Sequence, residues 1–234
     1  MFDLKQGTLK FLLNASIDTL PTAANLKRWK KSSSDLCKLC KHRQTTNHIL
    51  NSCKVSLDTG RYTWRHNCII NYIVNSCDNK FTIYSDLPGL PSSVSLPETD
   101  IVILDKHKKT IHLFELTCPL EDHIDKRHTN KTNKYSHFIT DITAYKCSLD
   151  AFEVSSKGFI STRNHSTLST LHKYMKQSIS LTNFKKNISA LSLIASHQIF
   201  ISRNDPTFVE PPYLLPPLEQ ARPGGRASPW GHRR

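Results

Sequence analysis

Residues 98–117 read "ETDIVILDKHKKTIHLFELT". The runs DIVILD and TIHLFELT are dense in β-branched and aromatic residues, and the polar KHKK between them predicts a turn joining two strands. Centred between His107 and Lys108, the hairpin sets opposite one another residues whose numbers sum to 215, Asp100 and Glu115 among them. Directly opposed residues share a face, with Cβ atoms about 5 Å apart; a slip of one residue would put the acids on opposite faces. Upstream, "GRYTWRHNCIINYIV" spaces Trp64, Cys68, Ile69 and Tyr72 along one side of a helix. Downstream, "DKRHTNKTNKYSHFITDITAY" carries Lys131, Lys134, Tyr135 and Phe138 at i, i+3, i+4 and i+7 of another. Strand-like and helix-like patterns alternate through residues 79–205, which predicts a mixed α/β domain.

Four regions follow. Residues 1–34 hold a short amphipathic start, a turn at "TLPT" and the basic, loop-like "NLKRWKKSSSD". Residues 35–78 hold a cysteine–histidine cluster and the helix after it, and residues 79–205 the α/β domain. Residues 206–234 are rich in Pro, Gly and Arg and read as disordered. No internal repeat and no Gly-rich phosphate loop is visible.

Charge narrows the function classes. Lys and Arg number 32 against 19 Asp and Glu, a net charge of +13. Such a surplus points to a polyanionic partner, with nucleic acid first; a merely soluble basic surface is the plain alternative. The start lacks the basic-then-apolar order of a secretory signal, and no apolar run is long enough to span a bilayer. An intracellular setting is therefore expected, without a membrane partner, and the seven cysteines are read as thiols and metal ligands rather than disulfides.

"CKLCKHRQTTNHILNSC" spaces Cys37-x2-Cys40-x7-His48-x4-Cys53. Four soft ligands this close, opened by a C-x2-C pair, suit tetrahedral Zn²⁺. In so small a segment the ion supplies much of the folding energy. His42 is the alternative histidine, although the spacing favours His48. Cys68, Cys77, Cys118 and Cys147 read as plain thiols. The bordering Lys38, Lys41, His42 and Arg43 point to contact with phosphate or single-stranded bases.

Asp100 and Glu115 carry a second chemistry. Carboxylates held this close repel unless a cation lies between them, and hard oxygen ligands suit Mg²⁺ or Mn²⁺. Glu98, Glu121 and Asp122 are accessory candidates. On the downstream helix, a lysine near a metal-bound phosphate can orient water and stabilise developing charge. The bland reading is two solvated acids and a solvated basic helix.

Taken in order, these residues resemble the C-terminal region of non-LTR retrotransposon proteins that carry a CCHC zinc knuckle and a restriction-like endonuclease of PD-(D/E)xK type. The resemblance spans roughly residues 7–205: "KFLLNASIDTLPTAANLKRW", the knuckle, "GRYTWRHN", "TDIVILD…FELTCPLE…KTNKY", and the closing "GFISTRNHSTLSTL" and "ISALSLIASHQIFISRND". It implies a small zinc-knuckle segment followed by a restriction-endonuclease-like mixed β-sheet flanked by helices. It also implies a nuclear, metal-dependent nuclease that nicks DNA and leaves a 3′-hydroxyl to prime reverse transcription, with DNA and RNA as partners. By position, Asp100 and Glu115 become the magnesium ligands, Lys131 the catalytic lysine, and Lys134 and Tyr135 members of the same pattern. Thr99 stands where the family usually has proline, and Leu-Thr follows the second acid where x-Lys is usual, so the lysine must come from the helix. No aspartate-pair polymerase signature accompanies them, so residues 1–34 read as a remnant or linker after an absent reverse transcriptase. A zinc-dependent nucleic-acid-binding remnant without catalysis is the competing function, and a purely structural zinc-stabilised protein the third.

Overall fold

A computed structural model describes residues 4–84, 99–135 and 145–211, without the side chains of Tyr84, Lys134 and Tyr135. Phe138, Glu98 and most of the Pro/Arg-rich tail therefore lie outside the described residues.

The hairpin forms in the predicted register. Strand β2, Ile101–Asp105, pairs antiparallel with β3, Thr110–Thr117; Ile101 faces Phe114 and Asp105 faces Thr110. The turn is built locally: Asp105 Oδ1 accepts from the backbone N–H of His107 and of Lys108, both at 3.1 Å, and Lys109 takes a left-handed φ of 50°. A short strand β1, Thr82–Tyr84, borders β2 antiparallel, and β4, Lys146–Glu153, borders β3 in parallel. Among the described residues the sheet is thus mixed, in the order β1-β2-β3-β4.

Alternation along the strands divides the core. Ile101, Ile103, Phe114, Leu116, Phe152 and Val154 face one way, onto three helices. These are α4 (Arg61–Ser76), which supplies Ile69, Ile70 and Ile73, α6 (His165–His172) and α7 (Leu181–Ile201). Val102, Leu104, Ile111 and Leu113 form a smaller cluster on the opposite side. That is also the side of Glu115, two residues beyond Leu113, and of α5, Ile124–Tyr135. The expected α4 face is buried as read: Trp64, Cys68 and Ile69 are inaccessible and Tyr72 is half-buried, but two arginines, Arg61 and Arg65, share it.

The basic, loop-like stretch near residue 25 needs correction. Helix α1 is Gln6–Ser16, and α2, Ala23–Arg28, takes in the Asn-Leu-Lys-Arg expected to be loop. Thr22 caps α2 by accepting from Asn25 N at 3.1 Å, which outweighs the charge density beyond it. Phe11 and Ala15 of α1 pack with Leu193, Ile199 and Phe200 of α7 and with Ile49 and Leu50 of the knuckle. A π-helical turn at His48–Ser52 and helix α3, Lys54–Asp58, lead into α4. The chain stays docked past residue 205, where Phe208 meets Trp64 edge-on at 5.3 Å.

Candidate functional site

The cysteine–histidine spacing closes into a compact cluster. The ligand atoms of Cys37, Cys40, His48 and Cys53 all lie within 4.8 Å of one another. Cys37 and Cys40 come from a tight turn in which Lys41 takes φ 62° and returns its N–H to Cys37 O at 3.0 Å. The π-helical turn brings up His48 and Cys53. Cys40 Sγ stands 3.7 Å from Cys53 Sγ and 3.2 Å from His48 Nε2. Two sulfurs on a tetrahedral zinc at ~2.3 Å would be about 3.8 Å apart, so the quartet can hold a zinc ion. His42, the alternative, is exposed and turns Nδ1 to Cys40 O.

Electrostatics prepare the ligands unequally. Burial opposes charge on Cys37, but the N–H groups of Cys40 and Leu39 outweigh it and bring the thiol below its ordinary pKa. Burial, with Cys53 and Cys37 beside it, pushes Cys40 up to about 11 without the ion. His48 is lowered by burial and by His42, which favours the neutral imidazole a metal requires. Cys68, Cys77, Cys118 and Cys147 form no disulfide among the described residues and stand apart from the quartet; burial first, with Glu210 and Cys118 adding to it, pushes Cys68 up to about 12.

The acid pair meets where β2 begins and β3 ends. Glu115 Oε2 accepts from Asp100 N at 3.1 Å, and Asp100 Oδ2 accepts from Leu116 N at 2.7 Å, so each carboxylate holds the other strand's backbone. Glu115 is buried in the strand interior, whereas the Asp100 side chain retains 21% exposure. From α5, Lys131 Nζ forms an ion pair with Glu115 Oε1. Acids and amine are thus brought together, and α5 adds the exposed Lys126 and Arg127. Of the accessory candidates, Glu121 turns away to Ser155 Oγ at 2.5 Å and Lys157 Nζ at 2.8 Å, and Asp122 is exposed. Lys134 and Tyr135 continue α5, their side chains outside the described residues.

Periodicity missed one participant. His66 Nε2 lies 3.1 Å from Asp100 Oδ2, reaching the site from α4, on the far face from α5. Its only sequence signal is its place in "RYTWRHN", where it reads as an unremarkable polar position of an amphipathic helix. Burial opposes ionisation of Asp100, but the His66 hydrogen bond and charge, the Leu116 N–H and Lys131 together hold the carboxyl below its ordinary pKa. Reciprocally, burial disfavours charge on His66 while Asp100 raises it, with a net upward shift.

One helix joins the two clusters. The Tyr62 hydroxyl accepts from Cys53 N at 3.0 Å and donates to Ile49 O at 2.9 Å. The buried Arg65 guanidinium donates to Leu50 O at 2.9 Å, Asn51 Oδ1 at 3.0 Å, Ser196 Oγ at 3.1 Å and Cys118 O at 3.0 Å, the last just beyond β3. Tyr62, Arg65 and His66 lie at i, i+3 and i+4, one stripe of α4 running from the knuckle to Asp100.

No family model matches the chain. Over 121 residues, 51% of the chain, it is 29% identical to the Retrovirus-related Pol polyprotein from type-2 retrotransposable element R2DM of Drosophila melanogaster. That match spans 11% of the polyprotein's length. The chain is thus similar, over about half its length, to a small part of a retrotransposon Pol polyprotein and has a cysteine–histidine cluster fit for zinc.

Proposed function

We propose that the chain is a metal-dependent DNA endonuclease that nicks its target, in the manner of the nuclease portion of a non-LTR retrotransposon protein. The observation that carries this reading is the convergence of Asp100, Glu115 and Lys131, from two strands and a helix, at one end of the sheet. Strand-rooted carboxylates a hydrogen bond apart from each other's backbone are hard oxygen donors, and they fit magnesium or manganese. A magnesium ion bound there supplies a Lewis acid for the scissile phosphate and lowers the pKa of a bound water.

The protein's own part is position and charge. Asp100 and Glu115 are fixed before substrate arrives, because each is tied to backbone. Lys131, already at the site, turns its ammonium to the phosphate and stabilises the charge that builds on it. Lys126 and Arg127 on α5, and Lys38, Lys41 and His42 around the knuckle, present exposed basic surface to a nucleic-acid backbone. That contact weakens steeply with salt as counterions are released. The similarity to a Pol polyprotein supports nucleic acid over other polyanions, and a nuclear setting, where target DNA lies, is part of the same proposal. Among the described residues, no helix is long and apolar enough to cross a membrane.

A catalytically silent binding remnant is the second reading, favoured by one observation: the Lys131–Glu115 ion pair satisfies the buried acid without any metal. Supercoiled plasmid with Mn²⁺ separates the two. Nicking by the wild type that disappears in Asp100→Ala supports the nuclease; equal background nicking by both, with salt-dependent DNA binding retained, selects the remnant.

A further inference from the structure

A carboxylate at the mouth of a hairpin rotates unless its hydrogen bonds decide which oxygen faces outward. Among the described residues, the hydrogen bonds and ion pairs of the Asp100 side chain all fall on Oδ2, from Leu116 N at 2.7 Å and His66 Nε2 at 3.1 Å. The first donor is backbone and comes with the sheet register. The second is a side chain from the opposite face of the sheet, and the strand pairing does not require it.

We propose that His66 is a positioning residue: by donating to Oδ2 it turns Oδ1 of Asp100 outward as the oxygen that takes the divalent cation. This rests on the nuclease reading above. Two other roles for His66 fit less well. As a ligand it would need a free ring nitrogen, but Nε2 is engaged by Asp100 and Nδ1 lies 3.2 Å from Asn67 Oδ1, and an imidazole has only two. As a mere tether of helix to sheet it is redundant, because Ile69, Ile70 and Ile73 already bury α4 against Ile101, Phe114 and Leu116. Ligating carboxylates are commonly held by such outer hydrogen bonds, and losing one costs about 10- to 100-fold in metal affinity.

The test uses the zinc-loaded chain and Mn²⁺ itself, followed by calorimetry and electron paramagnetic resonance, beside plasmid nicking. His66→Met keeps length and helix propensity but removes the donor; His66→Gln keeps an N–H donor at similar reach. We expect His66→Met to weaken Mn²⁺ binding about 10- to 100-fold and to lower kcat with KM for DNA unchanged. His66→Gln recovers most of both, and thermal melting of the two variants matches. Wild-type Mn²⁺ affinity in His66→Met would leave His66 a tether and overturn the proposal. Equal loss in both variants would make the imidazole a ligand, which overturns it as well. Should the variants differ in melting, the Gln–Met difference in Mn²⁺ affinity at a temperature where both are folded decides between the same outcomes. Asp100→Ala separates the layers. Mn²⁺ binding that ignores Asp100 brings down the nuclease reading itself, whereas Asp100-dependent binding that ignores His66 brings down only this inference.

Discussion

The zinc quartet and the acid site make opposite demands on the chain. The quartet draws its four ligands from a 17-residue segment, Cys37 to Cys53, and a turn and a π-helical turn suffice to gather them. The acid site draws on α4, β2, β3 and α5, from His66 to Lys131, and exists only once the sheet and both flanking helices are in place. Chemistry follows the same division. The quartet is soft, largely buried and of a size that one ion would saturate, as in a structural site; the acid pair is hard and keeps Asp100 partly open, as the proposed substrate site must be. Closure over a short segment makes a fold element, and convergence of distant ones makes the proposed active site. Yet Tyr62, Arg65 and His66 bind the two together, so the knuckle is structurally upstream of the acids.

Removing zinc gives the largest effect and strikes that link directly. Structural zinc in isolated fingers contributes about 10–16 kcal/mol of apparent binding energy, far above what residues 35–53 bury unaided. Chelation, or Cys53→Ser, is expected to melt the segment from Asp35 to Cys53, release Leu50 and Asn51 from Arg65, and abolish nicking in magnesium. Circular dichroism and metal analysis alongside the plasmid assay check this; full nicking by zinc-free protein would show the two regions to be independent. Next comes Asp100→Ala, which removes a proposed ligand. It should lower nicking by more than the roughly 100-fold typical of an outer partner while costing about 1–3 kcal/mol of stability, because the Leu116 N–H loses its acceptor. A denaturant midpoint far below wild type would mean that the acid is structural instead. Arg65→Leu is third. It strips donors from Leu50 O, Asn51 Oδ1, Ser196 Oγ and Cys118 O, and orphaned buried acceptors cost about 1–3 kcal/mol each. A total loss of about 4 kcal/mol or more is expected by urea unfolding, and Arg65→Lys restores little because an ammonium cannot reproduce the fork.

What sequence revealed divides along the same line. Cys37, Cys40, His48 and Cys53 were legible because ligand spacing is local geometry. The Asp100–Glu115 register was legible because an alternating strand pattern and a KHKK turn leave little freedom in how a hairpin closes. Lys131 followed from helical spacing only as one of several amines, and its seat on Glu115 needed the angle at which α5 crosses β3. His66 was not legible, since a polar residue on an amphipathic helix announces exposure rather than a reach around the end of a sheet. Arg61 and Arg65 were hidden for a related reason. Their guanidinium groups are buried on backbone carbonyls and neutral side-chain oxygens, so no partner acid in the sequence signals them. The helical Asn25–Arg28 was obscured by charge, although Thr22 stood as its cap.

The smallest expected effect sharpens the contrast within α5 itself. One turn before Lys131, His128 Nδ1 meets Glu153 Oε1 at 3.0 Å, so the helix presents one base to β3 and another to β4. Thr117 faces Glu153 in the parallel ladder, which places this second acid on the same face as Glu115. The two environments nevertheless differ. The Glu153 side chain is 1% exposed, and its Oε2 is buried without a hydrogen-bond partner among the described residues. Burial, only partly offset by His128, raises its pKa. A raised folded-state value means the native protein holds that proton more tightly than the unfolded chain. This group therefore makes stability fall as pH climbs from the ordinary carboxylate range through the raised value. Glu153→Gln retains an oxygen for His128 and removes the charge. It should erase that slope, leave neutral-pH stability unchanged or higher by about 1 kcal/mol, and keep nicking at wild-type levels, where Glu115→Gln loses it. Denaturant midpoints across the acid side of neutrality read the slope and the plasmid assay reads the rest. Loss of nicking in Glu153→Gln with unaltered stability would move Glu153 into the acid site and redraw its boundary to include β4.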